Sequence, residues 1–231
     1  MKKWITNNTS LEVIKLPLRR CGCYLVSDKD HTVLVDTGTK SSPPKILRSV
    51  KRLHKKVDAI VLTHAHFDHA GGAEYLRQQF SCEVYAHPSE IQALRRGFAE
   101  LPNGAVAFVK QAVNVVKKNA VKLAFLHYIP VKDVKGLKVG LFGMKIQFLH
   151  TPGHTEGSIS VIVDGDIALV GDAMVHQMAM LFPPFANAPE KIKSTWKALL
   201  GTGCRLFLPS HGSGVNSGTL TRQLAKLELK H

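Results

Sequence analysis

Four potential metal donors crowd into six residues in the stretch Thr63-His64-Ala65-His66-Phe67-Asp68-His69-Ala70-Gly71-Gly72. The segment just before it, Val57-Asp58-Ala59-Ile60-Val61-Leu62, is short and rich in β-branched residues and carries one charge, the pattern of a buried strand. The donors then stand in the turn at that strand's carboxyl end, where open α/β sheets place their chemistry. His64 and His66, one residue apart, can converge on one ion, leaving Asp68 and His69 for a second close by. A polar loop whose histidines satisfy one another is the plain alternative, but such a loop has no need of four donors in so few positions.

The chain's 231 residues are enough for one large domain or two small halves sharing a core. Its apolar fraction of 45% and charged fraction of 21% are those of an ordinary globular protein. No run of about 18 apolar residues suggests a membrane span. Met1-Lys2-Lys3 supplies positive charge, but Trp4 to Leu11 is interrupted by Thr6, Asn7, Asn8, Thr9 and Ser10, so no secretory signal is expected. Cys21, Cys23, Cys82 and Cys204 are scattered, and Cys21-Gly22-Cys23 lacks the second pair that a zinc knuckle needs. Free thiols in a reducing cytoplasm are the expectation. The net charge of +14 favours nucleic acid, an acidic membrane face or an anionic substrate, unless the dispersed lysines simply form a well-solvated surface.

Leu11 to Leu18 and Cys23 to Val26 read as short strands, with His31 to Val35 as a hairpin partner across the turn Ser27-Asp28-Lys29-Asp30. That strand ends at Asp36-Thr37-Gly38, and its carboxylate is suited to orient an imidazole or the histidine loop. Ser42-Pro43-Pro44 is expected to cap a helix with Ile46, Leu47, Val50 and Leu53 on one face. Further helices are expected over Ala73 to Phe80 and Ser89 to Arg96, either side of a strand at Val84 to Ala86. From about Gly97 to Lys135, Val106, Val109, Val113 and Val116 recur at helical spacing among Lys110, Lys117, Lys118, Lys122, Lys132 and Lys135. This basic helical insertion reads as a lid, a dimer surface or a membrane-touching helix, or more simply as a helix packed on the core with its lysines in water. Strands resume over Leu137 to His150, Ile159 to Val163, Ile167 to Val170 and Leu206 to Leu208, with helices from Pro189 and over Thr219 to Lys230. The alternation is that of an α/β chain, and its recurrence in both halves suggests a two-layer sheet sandwich with helices outside.

Three later turns repeat the character of the first. Thr151-Pro152-Gly153-His154-Thr155-Glu156-Gly157 offers His154, Gly171-Asp172 offers Asp172, and Pro209-Ser210-His211-Gly212 offers His211. Each donor stands just past a strand, beside glycine or proline, so the backbone turns sharply and presents it at one edge. One such histidine alone is more often a hydrogen-bonded turn residue. With the first loop they make five histidines and two aspartates at four matching strand ends, which is hard to explain without two metal ions.

From Asp36-Thr37-Gly38 through the histidine loop to Pro209-Ser210-His211-Gly212, these motifs in their order and spacing resemble the metallo-β-lactamase superfamily over nearly the whole chain. The resemblance implies an α/β fold of the four-layer αββα type, a single domain over residues 1–231 with the basic insertion at about 97–135, and a site at one edge of the sheets. It implies that one metal takes His64, His66 and His154, that the other takes Asp68, His69 and His211, and that Asp172 bridges the pair. Neutral imidazoles with two carboxylates leave an electropositive centre, where water between the ions loses a proton near neutral pH and attacks a polarised carbonyl. Asp68 would orient that nucleophile or shuttle its proton. Nitrogen and oxygen donors without thiolate suit two Zn²⁺, with Fe or Mn tolerated.

Departures from the family's branches narrow the reading. His66 stands where flavodiiron redox proteins carry glutamate, which argues for hydrolysis, while Asp172 and the lack of an export signal argue against true β-lactamases. What remains is similar to the glyoxalase II and lactonase side, a dinuclear-metal hydrolase of a carboxylic ester, thioester or lactone whose partner is a small-molecule acyl substrate. The fit is partial, because Val175 stands where lactonases carry tyrosine and few residues follow His211 where glyoxalase II has a helical domain. Met174, Val175, Met178, Phe182 and Phe185 are expected to line an apolar pocket or to be ordinary core. His176 is expected to protonate a leaving group or to lie on the surface. Two alternatives use the same motifs: a phosphodiesterase or RNA-processing nuclease drawn to nucleic acid by its charge, and a persulfide dioxygenase holding a single iron. A homodimer is one of the oligomeric states open to the chain.

Overall fold

A computed structural model describes residues 1–18, 21–100, 103–105, 129–134, 140–176 and 180–229. One sheet runs in chain order through β1 (Lys2–Ile5), β2 (Glu12–Lys15), β3 (Tyr24–Ser27), β4 (Thr32–Val35), β5 (Ala59–Val61), β6 (Glu83–Ala86) and β7 (Val131–Asp133). The other holds β8 (Ile146–His150), β9 (Ile159–Val163), β10 (Ile167–Gly171), β11 (Leu206–Pro209) and β12 (Val215–Asn216), in the order β12-β11-β10-β9-β8. The first sheet is antiparallel from β1 to β4 and parallel from β4 to β7. The second is antiparallel except where β10 meets β11.

Successive side chains of a strand point to opposite faces, so a strand covered on both sides is apolar at most positions, and its polar members, such as Ser27, Thr32 and Ser160, are hydrogen-bonded to one another or to neighbours. β3, β4, β5, β9 and β10 are buried throughout for this reason. On the first sheet Leu25, Leu34, Ile60 and Val84 face outward into one core, while Val26, Val33, Val35 and Val61 face inward into another. The inward set meets Ile159, Val161, Ile167 and Leu169 of the second sheet, and that sheet's far face adds Ile162, Ala168, Val170 and Phe207 to a third core.

Helices close both outer cores. Ile46 and Val50 of α1 (Pro43–Arg52), Leu76 of α3 (Ala73–Phe80) and Leu94 of α4 (Pro88–Arg96) cover the first sheet, with the short α2 (Phe67–Ala70) preceding α3. Ile192, Trp196 and Leu199 of α5 (Ile192–Gly201) and Leu220 and Leu224 of α6 (Ser217–Glu228) cover the second. The layers are therefore helix, sheet, sheet, helix. No helix among the described residues is long and apolar enough to cross a membrane.

Several expectations need correction. Ser42 does not cap α1: it already has helical backbone angles, and its hydroxyl instead accepts from the Thr39 N–H at 3.0 Å. Of the span Leu137 to His150, residues 137–139 lie outside the described residues, and among the rest strand is found over Ile146–His150, preceded by a turn around Gly143. Asp68 and His69 sit on α2 instead of in open loop. Strand β7 lies inside the stretch read as a helical insertion, while Val106, Val109, Val113 and Val116 with their neighbouring lysines fall outside the described residues.

Candidate metal centre

The four turns converge at one edge of the sandwich because each follows the carboxyl end of a strand. β5 delivers Thr63 to His69, β8 delivers His154, β10 delivers Asp172 and β11 delivers His211. The donor atoms of His64, His66 and His154 lie within 4.8 Å of one another, and so do those of His64, His69 and Asp172. His66 Nδ1 is 2.9 Å from His154 Nε2. Asp172 Oδ2 stands 3.5 Å from both His154 Nε2 and His211 Nε2, and its Oδ1 stands 3.5 Å from His69 Nε2. Asp68 reaches His211 Nε2 at 3.3 Å. All seven residues singled out in the sequence are thus brought to one place.

Outer hydrogen bonds fix which ring nitrogen faces the centre. A carbonyl can only accept, so His154 donates its Nδ1–H to Phe185 O at 2.8 Å and turns the Nε2 lone pair inward. His69 Nδ1 lies 2.8 Å from Asp36 Oδ2, which leaves its Nε2 toward Asp68 and Asp172. His64 Nδ1 meets the Thr63 hydroxyl at 3.1 Å, and His64 Nε2 is buried with no partner. Asp172 Oδ1 is likewise buried without a hydrogen bond. Buried lone pairs left facing one another without donors are costly unless a cation stands among them. The donor set and its orphaned atoms therefore fit divalent metal ions.

Electrostatics divide the set. Burial, reinforced by neighbouring imidazoles, holds His64 well below the ordinary histidine range, and burial with His154 pushes His66 down to about 3. Burial also lowers His154. These three are neutral at neutral pH. Burial works against charge on His69 as well, but the Cys21 sulfur and the carboxylates of Asp172, Asp36 and Asp68 raise it. Burial would raise Asp172 and Asp68, yet the imidazoles around them keep both below the usual carboxylate range. Two ionised carboxylates thus stand beside these imidazoles, an arrangement in which a bound cation would displace protons.

Asp36 does what its place at a strand end suggested. Besides His69, its carboxylate accepts from the Thr63 N–H at 2.8 Å and from the Ser210 hydroxyl at 3.3 Å, tying the turns after β5 and β11 together. Thr63 and Ser210 carry no local signal as partners, since each is an ordinary turn residue whose role is set by a distant strand. Cys21 was read as a scattered thiol. It is free and buried, but its sulfur lies 3.7 Å from His69 Nδ1, a proximity invisible to a spacing argument. The expected apolar pocket is mostly core: Met174 is fully buried and Phe182 packs on Trp196, while Phe185 is exposed beside His154 and Met178 lies outside the described residues. His176 Nδ1 rests 2.9 Å from the Ser213 hydroxyl, next to His211.

Sandwich and centre together define a metallo-hydrolase type of protein. The profile of the metallo-beta-lactamase superfamily matches residues 16–215, and the chain belongs to that family. Among its relatives is the probable metallo-hydrolase YqgX of Bacillus subtilis, 30% identical over 90% of this chain and 90% of its own. The hydroxyacylglutathione hydrolase GloC of Haemophilus influenzae is 25% identical over 71% of this chain and 72% of its own. The crystal structure of TTHA1623 in a di-iron-bound form superposes with a TM-score of 0.66 at 26% identity, covering 91% of this chain and 96% of that one.

Proposed function

We propose that the chain is a dinuclear-metal hydrolase of a thioester, carboxylic ester or lactone. The observation that carries this reading is the convergence of seven donors, two of whose buried atoms, His64 Nε2 and Asp172 Oδ1, have no hydrogen-bond partner among the described residues. His64, His66 and His154 would hold one cation, Asp68, His69 and His211 the other, with Asp172 shared. Zinc fits nitrogen and oxygen donors, iron or manganese fits them too, and the di-iron relative supports that breadth. Bound there, such ions make water acidic near neutral pH and polarise an acyl carbonyl.

The protein's own groups do the rest. Asp68 and His211 are the more exposed members, each 18% accessible, so substrate approaches on their side of the centre. Asp68 is ionised and next to His211, which suits it to orient the attacking water and accept its proton. Phe185, exposed while its carbonyl fixes His154, offers an apolar surface to an acyl chain. Water adds to the acyl carbon, the bond to sulfur or oxygen breaks, and a carboxylate and a thiol or alcohol leave. GloC, named for hydrolysis of an acylated glutathione, supports an acyl substrate.

The test is a screen of metal-loaded protein against thioester, lactone, ester and phosphodiester panels, with His66→Ala as control. Turnover of acyl substrates that falls by about 10²-fold or more in the variant supports the reading. Turnover confined to phosphodiesters, or undiminished in His66→Ala, overturns it. The net charge of +14 favours a nuclease as the second reading. Nucleic-acid binding that weakens steeply with salt would support that one, and a flat response would remove it.

A further inference from the structure

Glu90 is a carboxylate in the first turn of α4, 6% exposed, and among the described residues no cationic side chain hydrogen-bonds or ion-pairs with it. Its oxygens are occupied by three donors from the two turns that carry His64, His66 and His154. Oε2 accepts the Ala65 N–H at 2.9 Å, from the residue between His64 and His66. Oε1 accepts the Thr155 hydroxyl at 2.8 Å and the Gly157 N–H at 3.0 Å, one and three residues beyond His154. Gly157 is shaped for this contact, since a Cβ there would fall 2.6 Å from the Glu90 side chain.

We infer that Glu90 is a positioning residue that clamps these two turns together and so sets the spacing of the first cation's three imidazoles. The inference rests on the metal reading above and adds to it a residue that touches neither ion nor substrate. The turns start from strands of different sheets, β5 and β8, and besides Glu90 they are joined by the Ile159 N–H donated to Thr63 O at 3.0 Å. One carboxylate bonded to both, through charge-assisted hydrogen bonds, keeps His66 Nδ1 and His154 Nε2 at 2.9 Å. Partners in such outer positions typically contribute about 10–100-fold to metal affinity.

Glu90→Gln keeps the volume but not the acceptors. Whichever way its amide is turned, the NH₂ group meets either the Ala65 N–H or the Gly157 N–H, so one arm of the clamp is lost. The experiment titrates Zn²⁺ into the metal-free full chain against a chelating indicator, with His66→Ala and His211→Ala identifying which step belongs to which ion. Near-UV circular dichroism and thermal melting of the metal-free variant run alongside. The expected result is a loss of about 10–100-fold in affinity for the ion held by His64, His66 and His154, with the other step little changed and the metal-free fold intact.

Equal affinity for both ions in Glu90→Gln and the parent overturns the inference. So does an equal loss at both ions that accompanies a lower melting temperature, because that is the signature of a merely structural residue. Should Glu90→Gln not fold, Thr155→Val, which removes the hydroxyl arm together with the Thr155 Oγ1–Ser158 Oγ contact, decides: a smaller loss confined to the same ion supports the clamp, and unchanged affinity overturns it. A parent chain that takes up no metal overturns the metal reading itself.

Discussion

Asp36 holds a backbone conformation that few side chains adopt, with φ at 59°, and uses it to aim its carboxylate at the turns after β5 and β11. Asparagine tolerates the same left-handed region, so Asp36→Asn changes the acceptor without disturbing the chain path. Its amide must present a donor either to the Thr63 N–H or to His69 Nδ1–H. Affinity for the ion assigned to His69 is expected to fall by about 10–100-fold in chelator competition, and an unchanged affinity would show that His69 needs no orienting partner. Cysteine chemistry offers a second check at this scale. Cys82 is partly exposed while Cys21, Cys23 and Cys204 are buried, and burial pushes the Cys82 thiol up to about 11. Alkylation of the native chain should therefore mark Cys82 first, slowly at neutral pH and faster as pH rises toward that value. Equal labelling of Cys21 would mean that the thiol beside His69 is open to solvent.

Helix α5 reaches the centre through one indole. Trp196 is 1% exposed, and its Nε1–H donates at 2.8 Å to the carbonyl of Ala173, the residue after Asp172. Trp196→Phe leaves that buried carbonyl unpartnered, at a cost of about 1–3 kcal/mol, and adds a cavity where the larger ring stood. Denaturant unfolding measures the loss, and a change within about 0.5 kcal/mol, the range of surface substitutions, would contradict this account of the packing. Elements like α5 were legible because the periods of Ile192, Trp196 and Leu199 and the unbroken apolar run of β10 are fixed by burial alone. β1 was not, since Lys2 and Lys3 occupy half of an exposed edge strand, and β12 is only two residues long. The cap assigned to Ser42 failed because a serine before proline can serve a turn as well as a helix, and here it holds Thr39.

Across the molecule, the placement of the centre was legible from four strand ends that share one composition, whereas the contacts among those ends were not. Glu90, Thr63 and Ser210 act through residues 25 to 174 positions away, and no local pattern marks such partners. Protons and metal compete over the whole assembly, which predicts its pH response. In the metal-free chain His64, His66 and His154 lie below their ordinary value of 6.5, so the unfolded state binds more protons and stability falls as pH drops from there toward about 3. His69 and His211 are raised, so their contribution is complete below 6.5 and is lost as pH climbs through their folded values. Metal-free protein should be most stable near pH 6.5 in denaturant titrations, and metal should remove the alkaline decline by taking the place of those protons. A stability that keeps rising above pH 8 without metal would contradict the balance of charge described for His69 and His211. The most direct measurement of the whole account is metal stoichiometry by elemental analysis after dialysis, on the parent chain and on His66→Ala and His211→Ala. The account predicts two ions per parent chain and the selective loss of one in each variant. A parent chain holding none, or variants that keep both, would contradict it.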